Sequence, residues 1–360
     1  MDEQTAMILA LDLANRGLYT TTPNPRVGCV LLKQGQLVGQ GWHERAGQAH
    51  AEVNALREAG QQARGATAYV SLEPCSHQGK TGPCCEALIQ AGVVKVVVAM
   101  QDPNPLVAGQ GLQRLREAGI EVEVGLMNAQ AQALNLGFIS RMRRARPWVR
   151  VKVAASLDGK TALLNGQSQW ITGPEARADT HHWRARACAI LTGIGTVNAD
   201  DPQLNVRAVN TTRQPFRVVV DSHLRILPKA QLLAEGTWVV SAIQDAVKMK
   251  TLEARGAKVC CIPNKHGQVD LEGLMIHLAA AGGVNELHVE AGAQLNGALL
   301  AAGLIDELLI YWAPTVIGHK AQGMFDFPEL TVLSNQHRFK RVEFSAVGED
   351  IRIVLRRAAV

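Results

Sequence analysis

The sequence has little of several features that mark common classes of protein. Only 4% of its 360 residues are aromatic, and no basic surface interleaved with aromatics, as single-strand nucleic-acid binders use, is apparent. No apolar run approaches the roughly 18 residues that span a bilayer. The first 17 residues lack the basic and apolar regions of a signal peptide. We therefore expect a cytoplasmic protein without a membrane or nucleic-acid partner.

The cysteines do not form a disulfide pattern either. There are seven, an odd number, and they are scattered along the chain. In a reducing compartment, cysteines serve metal binding or catalysis more often than disulfides. The hydrophobic content of 47% and the chain length predict a sizeable core and about two domains. The net charge of +5 suits phosphorylated small molecules but does not by itself indicate them.

Apolar periodicity predicts two α/β domains. Residues 1–125 read as a helix, a hairpin near Gly35, and then strands that alternate with helices of about ten residues. A helical pattern over 128–146 ends in several arginines and Pro147, after which the strand-like WVRVKVAAS begins. Because proline stops a helix, we set the boundary there, giving domains 1–146 and 147–360. The arginines are either a solvated helix end or a phosphate or nucleic-acid patch.

The stretch EPCSHQGKTGPCC places Cys75 and Cys84 on a loop, each after a proline. Thiolate and imidazole are zinc ligands, and a catalytic zinc site has three protein ligands. His50 in HAEVNAL is the best third ligand, and it brings Glu52 with it. An H-x-E element followed by Pro-Cys and a second Cys matches the signature of zinc-dependent nucleobase deaminases, in which the glutamate moves protons.

The spacing imposes a local requirement. Positions i and i+2 of a regular helix point nearly opposite ways, so His50 must lie at the helix start for Glu52 to face the metal too. Cys84 follows Pro83 at another predicted helix start, where the helix dipole favours the thiolate. A closed structural site with Cys85 or His77 as fourth ligand, or no metal, are the alternatives. We favour Cys84 over Cys85, which we expect to face the core.

Several motifs together resemble the bifunctional deaminase/reductase family of riboflavin biosynthesis, over essentially the whole chain. They are TTPNPRVGCV, HAEVNAL, the eight-residue spacing between the cysteines and DPNPLVAGQG, then KVAASLDGKTA, SQWITG, ADDPQLNVR and VEAGAQLNGALL. The resemblance implies a cytidine-deaminase-like three-layer α/β/α domain followed by a dihydrofolate-reductase-like α/β domain. It implies deamination of a diaminopyrimidinone ribosylamino 5′-phosphate at one zinc per chain, then reduction of the ribosyl side chain by NADPH.

The resemblance also implies roles for individual residues. His50, Cys75 and Cys84 would hold zinc, and Glu52 would carry the proton from water to the departing ammonia. The pyrimidine or its phosphate would contact Asn24, His43, His77 and Lys80. The reductase substrate would contact Lys152, Ser168, Arg184, Leu204, Arg207 and Glu290, with the two arginines as phosphate clamps. NADPH would contact Ala154, Trp170, Thr196, Asp200, Ser222 and the segment Gly292, Ala293, Gln294, Leu295, Asn296, Gly297 and Ala298.

Simpler interpretations stay open for some of these residues. Asn24 lies between two prolines and could only make a turn, and Lys80 could be an ordinary solvated lysine. Asp200 could cap a helix or turn before Pro202, and Gly292 could simply start a helix. The stretch TGIGTVN lacks the third glycine of a Rossmann fingerprint, so it is weak evidence for a dinucleotide site.

Two other functions compete with a bifunctional enzyme. One is a nucleic-acid deaminase whose second domain binds the polymer, and the other is a zinc-stabilised adaptor protein. NADPH binding would exclude the first, and an exchangeable water on the zinc would exclude the second. For the enzyme we expect a homo-oligomer.

Overall fold

The computed structural model describes residues 1–76, 82–105 and 107–358. The chain divides into two compact units, Met1–Ala145 and Arg146–Val360. Within the described ranges, none of the helices combines the length and the apolar character that crossing a membrane requires.

The N-terminal unit alternates helices with short strands. Its helices are α1 (Glu3–Arg16), α2 (Ala51–Ala59), α3 (Cys84–Gln90), α4 (Gln110–Glu117), α5 (Asn128–Leu134) and α6 (Leu136–Arg144), with a 3₁₀ turn at Gly60–Ala63. Its strands are β1 (Gly28–Lys33), β2 (Gln36–Trp42), β3 (Thr67–Val70), β4 (Lys95–Val98) and β5 (Glu121–Val124).

These strands form one sheet in the order β2-β1-β3-β4-β5. The hairpin β1–β2 and the pair β1–β3 are antiparallel, whereas β3, β4 and β5 are parallel. Side chains alternate between two cores, so that Val96 and Val98 of β4 pack with α2, α3 and α4. Val97, between them, packs with α1 and α5 on the other face. The predicted three-layer α/β/α arrangement is therefore confirmed.

The predicted helix over 128–146 is interrupted. Asn135 separates α5 from α6, and its side chain is buried. Its Oδ1 accepts a hydrogen bond from Arg26 N at 2.9 Å, and its Nδ2 donates to Arg26 O at 2.9 Å. The Asn135 side chain thus pairs with backbone groups more than a hundred residues earlier, which periodicity could not predict.

The C-terminal unit follows a similar alternation with longer strands. Its strands are β6 (Trp148–Ser156), β7 (Lys160–Ala162), β8 (Ala189–Gly193), β9 (Phe216–Val220), β10 (Thr237–Ser241), β11 (Ala257–Cys261), β12 (Glu286–Val289), β13 (Glu307–Ala313), β14 (Gln322–Gly323), β15 (Phe339–Val347) and β16 (Asp350–Arg357). Its helices are α7 (Pro174–Arg186), α8 (Ile194–Asp200), α9 (Ala246–Glu253), α10 (Leu271–Ala281) and α11 (Ala293–Ala301), with a 3₁₀ turn at Leu333–Asn335.

The large sheet has the order β11-β10-β9-β8-β12-β6-β13-β16-β15. Strands β11 to β13 in this order run parallel, and β16 and β15 add an antiparallel edge. Helix α8 begins directly after β8, and α11 begins after a short turn that follows β12; β8 and β12 are neighbours in the sheet. In open α/β sheets ligands bind in the crevice outside the carboxyl ends of such strands.

Candidate metal centre and reductase site

His50 is the residue that caps α2, and its backbone is extended (φ −75°, ψ 166°). Glu52 lies in the first turn of the same helix. The histidine is therefore outside the regular helix, as the H-x-E spacing requires for both side chains to face one point.

Cys75 and Cys84 complete a cluster with His50. Their ligand atoms all lie within 4.8 Å of one another. His50 Nδ1 is 3.1 Å from Cys84 Sγ and 3.6 Å from Cys75 Sγ. Cys84 opens α3, and its backbone N–H donates to Cys75 Sγ at 3.4 Å.

This donor set fits zinc. Tetrahedral zinc with ordinary Zn–S and Zn–N bonds separates its ligand atoms by about 3.5 to 3.8 Å. The thiols also need a cation to ionise together. A hydrogen bond from Cys84 lowers the pKa of Cys75 to about 4, and the same contact raises the pKa of Cys84. A divalent cation between the two sulfurs would favour both thiolates.

Glu52 is buried beside the metal cluster, with 3% of its surface exposed. Burial, reinforced by the Cys75 thiolate, raises the pKa of its carboxyl to about 7. The Cys84 thiol lies close to this carboxyl. A carboxyl with a pKa near neutrality can both accept and release a proton at neutral pH.

Asn24 and His43 lie next to the ligand histidine. The rings of His43 and His50 are 5.3 Å apart, edge to face. His43 Nδ1 is 3.0 Å from Ala49 O, a carbonyl that can only accept, so Nδ1 carries the proton. Its Nε2 then accepts from Asn24 Nδ2 at 3.1 Å. Burial lowers the pKa of His43, which agrees with this neutral ring.

Two predicted substrate contacts, His77 and Lys80, lie outside the described residues. Cys85, the alternative ligand, is buried in the core shared by α2, α3 and α4. Within the described part of the chain it does not belong to the His50, Cys75 and Cys84 cluster.

In the C-terminal unit, Arg184 of α7 meets Glu290 at the end of β12. Arg184 Nε and Nη2 donate to the two carboxylate oxygens at 2.5 and 2.8 Å. Burial alone would raise the pKa of Glu290, but Arg184 outweighs burial and holds it well below its usual range. Arg184 Nη1 also donates to Asn205 O. The Arg184 guanidinium, which we predicted to bind phosphate, is therefore already paired with a carboxylate.

Lys152 and two histidines surround this pair. Lys152 of β6 is half-buried. Burial and the nearby Arg184 lower the pKa of Lys152, and they outweigh Glu290, which would raise it. His288 is fully buried with Nε2 3.3 Å from Glu290 Oε1. Burial, together with Arg184 and Arg207, lowers the pKa of His181 to about 4.

Arg207 and Leu204 follow α8 in the loop before β9. The Arg207 side chain is exposed and donates to Asn205 Oδ1 at 3.0 Å, while its backbone N–H donates to His181 Nδ1. Its guanidinium is thus more accessible to a phosphate than that of Arg184. The Leu204 side chain is 3% exposed and packs in the core with Ile194, so it does not project toward solvent.

The starts of α8 and α11 lie close to each other. Leu295 of α11 would lie 3.4 Å from a methyl group at Gly193, and Thr196 Oγ1 would lie 3.9 Å from one at Gly292. Gly292 caps α11, and among the described residues no side chain caps the first amides of that helix. Uncapped helix N-terminal amides bind phosphate oxygens.

The second half of the predicted segment 292–298 has a packing role. A methyl group at Gly297 would lie 1.7 Å from Asp326 O, so only glycine allows this approach. The buried Asn296 donates from Nδ2 to Ala291 O and Met324 O. In the described part of the chain, the amides that lack a side-chain cap are those of the first turn, at Ala293 to Leu295.

Other predicted residues are spread around the same end of the sheet. Ser222 follows β9 and accepts a hydrogen bond from Val269 N. Trp170 is 69% exposed, with Arg177 stacked 4.5 Å from its ring, and Ser168 precedes it in the loop after β7. Asp200 ends α8 and accepts from Gln169, whereas Ala154 of β6 is half-buried two residues after Lys152.

Comparison with known proteins agrees with this arrangement. The family described as cytidine and deoxycytidylate deaminase zinc-binding region matches residues 1–100, and the RibD C-terminal domain matches residues 147–353. The chain is 48% identical to riboflavin biosynthesis protein RibD of Escherichia coli, over 98% of both chains. The chain belongs to the RibD family.

Solved RibD structures share the whole fold. A RibD structure from Acinetobacter baumannii is 46% identical, covers 99% of both chains and has a TM-score of 0.93. The diaminohydroxyphosphoribosylaminopyrimidine deaminase/5-amino-6-(5-phosphoribosylamino)uracil reductase of Thermotoga maritima is 30% identical, with a TM-score of 0.88. It covers 99% of this chain and 98% of its own. The RibD-family chain is therefore a zinc-dependent deaminase and an NADPH-dependent reductase of riboflavin biosynthesis, as expected.

Sequence reasoning missed three buried polar residues beside these sites, namely Glu73, His181 and His288. Glu73 directly precedes Pro74 and Cys75, and a carboxylate so close to a metal ligand could have indicated a residue that supports the site. His288 stands two residues before Glu290, a spacing that puts both on one face of a strand.

Proposed function

We propose that residues 1–146 hydrolyse the 2-amino group of 2,5-diamino-6-(ribosylamino)-4(3H)-pyrimidinone 5′-phosphate and that residues 147–360 reduce the product. The observation that supports this most strongly is the His50, Cys75 and Cys84 cluster with the buried Glu52 beside it. The activities named for the Thermotoga maritima relative support the same pair of substrates.

In the first reaction, His50, Cys75 and Cys84 would hold the zinc. Zinc bound there would lower the pKa of a water molecule to about 7 and so supply a nucleophile at neutral pH. Glu52 accepts a proton from the attacking water and delivers it to the leaving amino nitrogen, acting in turn as base and acid. Its raised pKa supports both roles.

Asn24 and His43 position the pyrimidine. Because His43 carries its proton on Nδ1, Asn24 donates to the ring through Nδ2. The side-chain oxygen Oδ1 of Asn24 can then accept a hydrogen bond from a substrate N–H. His77 and Lys80 stay proposed contacts to the pyrimidine or its phosphate, by their place in the family motif.

In the second reaction, Lys152 and Glu290 orient the ribosyl hydroxyl groups. Ser168 and Arg184 complete this site, in which Arg184 acts by holding Glu290 ionised. Arg207 binds the 5′-phosphate, because its exposed guanidinium offers a planar fork that matches phosphate oxygens. Leu204 contributes through its backbone, since its side chain lies in the core.

The carboxyl ends of β6, β12, β8 and β9 would hold NADPH. When bound, it supplies the hydride. The first amides of α11, after Gly292, bind its pyrophosphate, and Thr196 lies beside them. Ala154, Trp170, Asp200 and Ser222 complete the lining.

We further propose a cytoplasmic homo-oligomer that binds neither nucleic acid nor membrane. The scattered cysteines, the low aromatic content and the absence of long apolar runs in the sequence support the compartment and the excluded partners. The homo-oligomer is proposed by likeness to the family. Size-exclusion chromatography with light scattering tests the oligomeric state directly.

Separate assays of the two reactions test the proposed function. Chelation of zinc should abolish ammonia release, while NADPH oxidation with the deaminated intermediate continues at its original rate. Added zinc should restore ammonia release. If chelation stops NADPH oxidation too, with the circular dichroism spectrum unchanged, the assignment of the two reactions to separate domains is wrong.

A further inference from the structure

The Glu73 carboxylate accepts hydrogen bonds from an unusual number of backbone amides. Its side chain is 5% exposed, and its Oε2 accepts from Asp102 N and Gly109 N at 3.0 Å each. Its Oε1 accepts from Gly111 N at 3.0 Å and Leu112 N at 3.4 Å. One carboxylate thus accepts from four N–H groups between the end of β4 and the first turn of α4.

Three of these amides belong to the start of α4, at Gly109, Gly111 and Leu112. Gly109 offers no side-chain cap, so the glutamate supplies the negative charge that a helix N-terminus favours. The segment carries the DPNPLVAGQG motif, whose presence the deaminase chemistry leaves unexplained.

The same segment presses against the residue after Glu73. A methyl group at Gly111 would lie 2.0 Å from Pro74 O. The start of α4 is therefore in backbone contact with the loop that carries the ligand Cys75. Glu73 is anchored on its other side as well, because its own N–H donates to Met100 O at 3.0 Å.

Only Pro74 separates Glu73 from the ligand Cys75. The proline ring fixes one backbone dihedral, so a displacement of Glu73 passes to Cys75 with little freedom to absorb it. On the far side, Cys85 N donates to Cys75 O at 3.2 Å, and Cys84 N donates to Cys75 Sγ at 3.4 Å. The ligand thiol is therefore held between the starts of α3 and α4.

We propose that Glu73 is a positioning residue for zinc, which fixes Cys75 by tying its loop to the start of α4. The proposal rests on the zinc site of the proposed function. Glutamate suits this place better than glutamine, since both of its oxygens accept. A glutamine amide would keep one oxygen and turn an NH₂ group toward two of the four N–H donors.

The test compares Glu73→Gln with Glu58→Gln in the full-length chain. Glu58 is exposed on α2 and also accepts a backbone N–H, from Gln40 at 3.3 Å, so it controls for loss of such a bond in the same unit. Zinc affinity is measured by competition with a chromophoric chelator. The geometry of the thiolates is read from the absorption bands of the cobalt-substituted protein.

We expect Glu73→Gln to weaken zinc binding about 10- to 100-fold, the usual effect of losing a group that orients a metal ligand. We also expect shifted cobalt bands, with NADPH oxidation unchanged as an internal control. Glu58→Gln should match the parent in every measurement. Glu73→Asp keeps two accepting oxygens and should recover part of the affinity.

Parent-like zinc affinity and cobalt bands in Glu73→Gln, even with a lower melting temperature, would show that Glu73 is only structural. If Glu73→Gln does not fold, Glu73→Asp, whose carboxylate is one methylene shorter, decides the question: a parent-like zinc affinity and parent-like cobalt bands in this variant would contradict the proposal. Cys84→Ser serves as the reference. If it keeps its zinc, the proposed metal site itself is wrong, whatever Glu73 does.

Discussion

The N-terminal site brings two thiols, an imidazole and a carboxyl together within a few ångströms, and these groups compete for protons. In the C-terminal site the main charges are paired already, with Arg184 bidentate on Glu290. The first site therefore depends on a cation for its final charge state. In the second site the charges are already paired, so that site needs no cation before it binds a substrate.

This difference indicates where each half is vulnerable. A loss of one ligand in the N-terminal unit removes the cation on which the other groups depend. A change at the C-terminal site removes one contact among several, because the sheet and the Arg184–Glu290 pair remain. We therefore expect loss of a metal ligand to abolish the first reaction and changes at the C-terminal site to have graded effects on the second.

The largest effect is expected from Cys84→Ser. Serine is a poor zinc ligand, so the variant should lose its zinc and all measurable ammonia release, as determined by metal analysis and an ammonia assay. Cys85→Ser is the matched control, since Cys85 packs in the core. It should keep the metal and the activity, with a modest loss of stability. The opposite pattern would make Cys85 the ligand.

Glu52→Gln should give the next largest effect. Glutamine keeps the size of the side chain but cannot carry a proton, so kcat for deamination should fall about 10²- to 10⁴-fold. The zinc content and the rate of NADPH oxidation should stay at parent values. Near-normal ammonia release would remove Glu52 from the mechanism.

Arg207→Ala should have a smaller and graded effect in the other half. Charge-assisted hydrogen bonds to phosphate contribute roughly 1.5 to 3 kcal/mol, so KM for the phosphorylated intermediate should rise about 10- to 100-fold. The dephosphorylated intermediate should be reduced equally by variant and parent, and ammonia release should be unaffected. An equal loss on both substrates would contradict a phosphate contact.

The smallest effect is expected from Gly292→Ala. Gly292 has φ −76° and the nearest atom to an added methyl group is Thr196 Oγ1 at 3.9 Å, so the fold should tolerate alanine. If the pyrophosphate occupies the space that the added methyl group would fill, KM for NADPH should rise about tenfold, the equivalent of ~1.4 kcal/mol. Melting temperature should change little. Gly297→Ala, which would meet Asp326 O, should destabilise the protein instead. An unchanged KM for NADPH would place the cofactor elsewhere.

Much of the fold could be predicted from local patterns. The hairpin β1–β2, strand β6 and the helix starts at Ala51 and Cys84 lie where periodicity and proline put them. The helix across 128–146 was predicted without its break, because Asn135 is held by Arg26, far away in the sequence. Local signals describe a residue's neighbours along the chain and not its partners across the fold.

The sequence by itself determined the metal chemistry. His50, Glu52, Cys75 and Cys84 lie in two short motifs, and helix starts fix their directions within a few residues. Only the tertiary structure decided which groups hold these residues and which charges neutralise each other. Glu73 meets amides 29 to 39 residues away, and Arg184 meets Glu290 at a separation of 106. Such pairs depend on which strands and helices become neighbours, and periodicity carries no information about that.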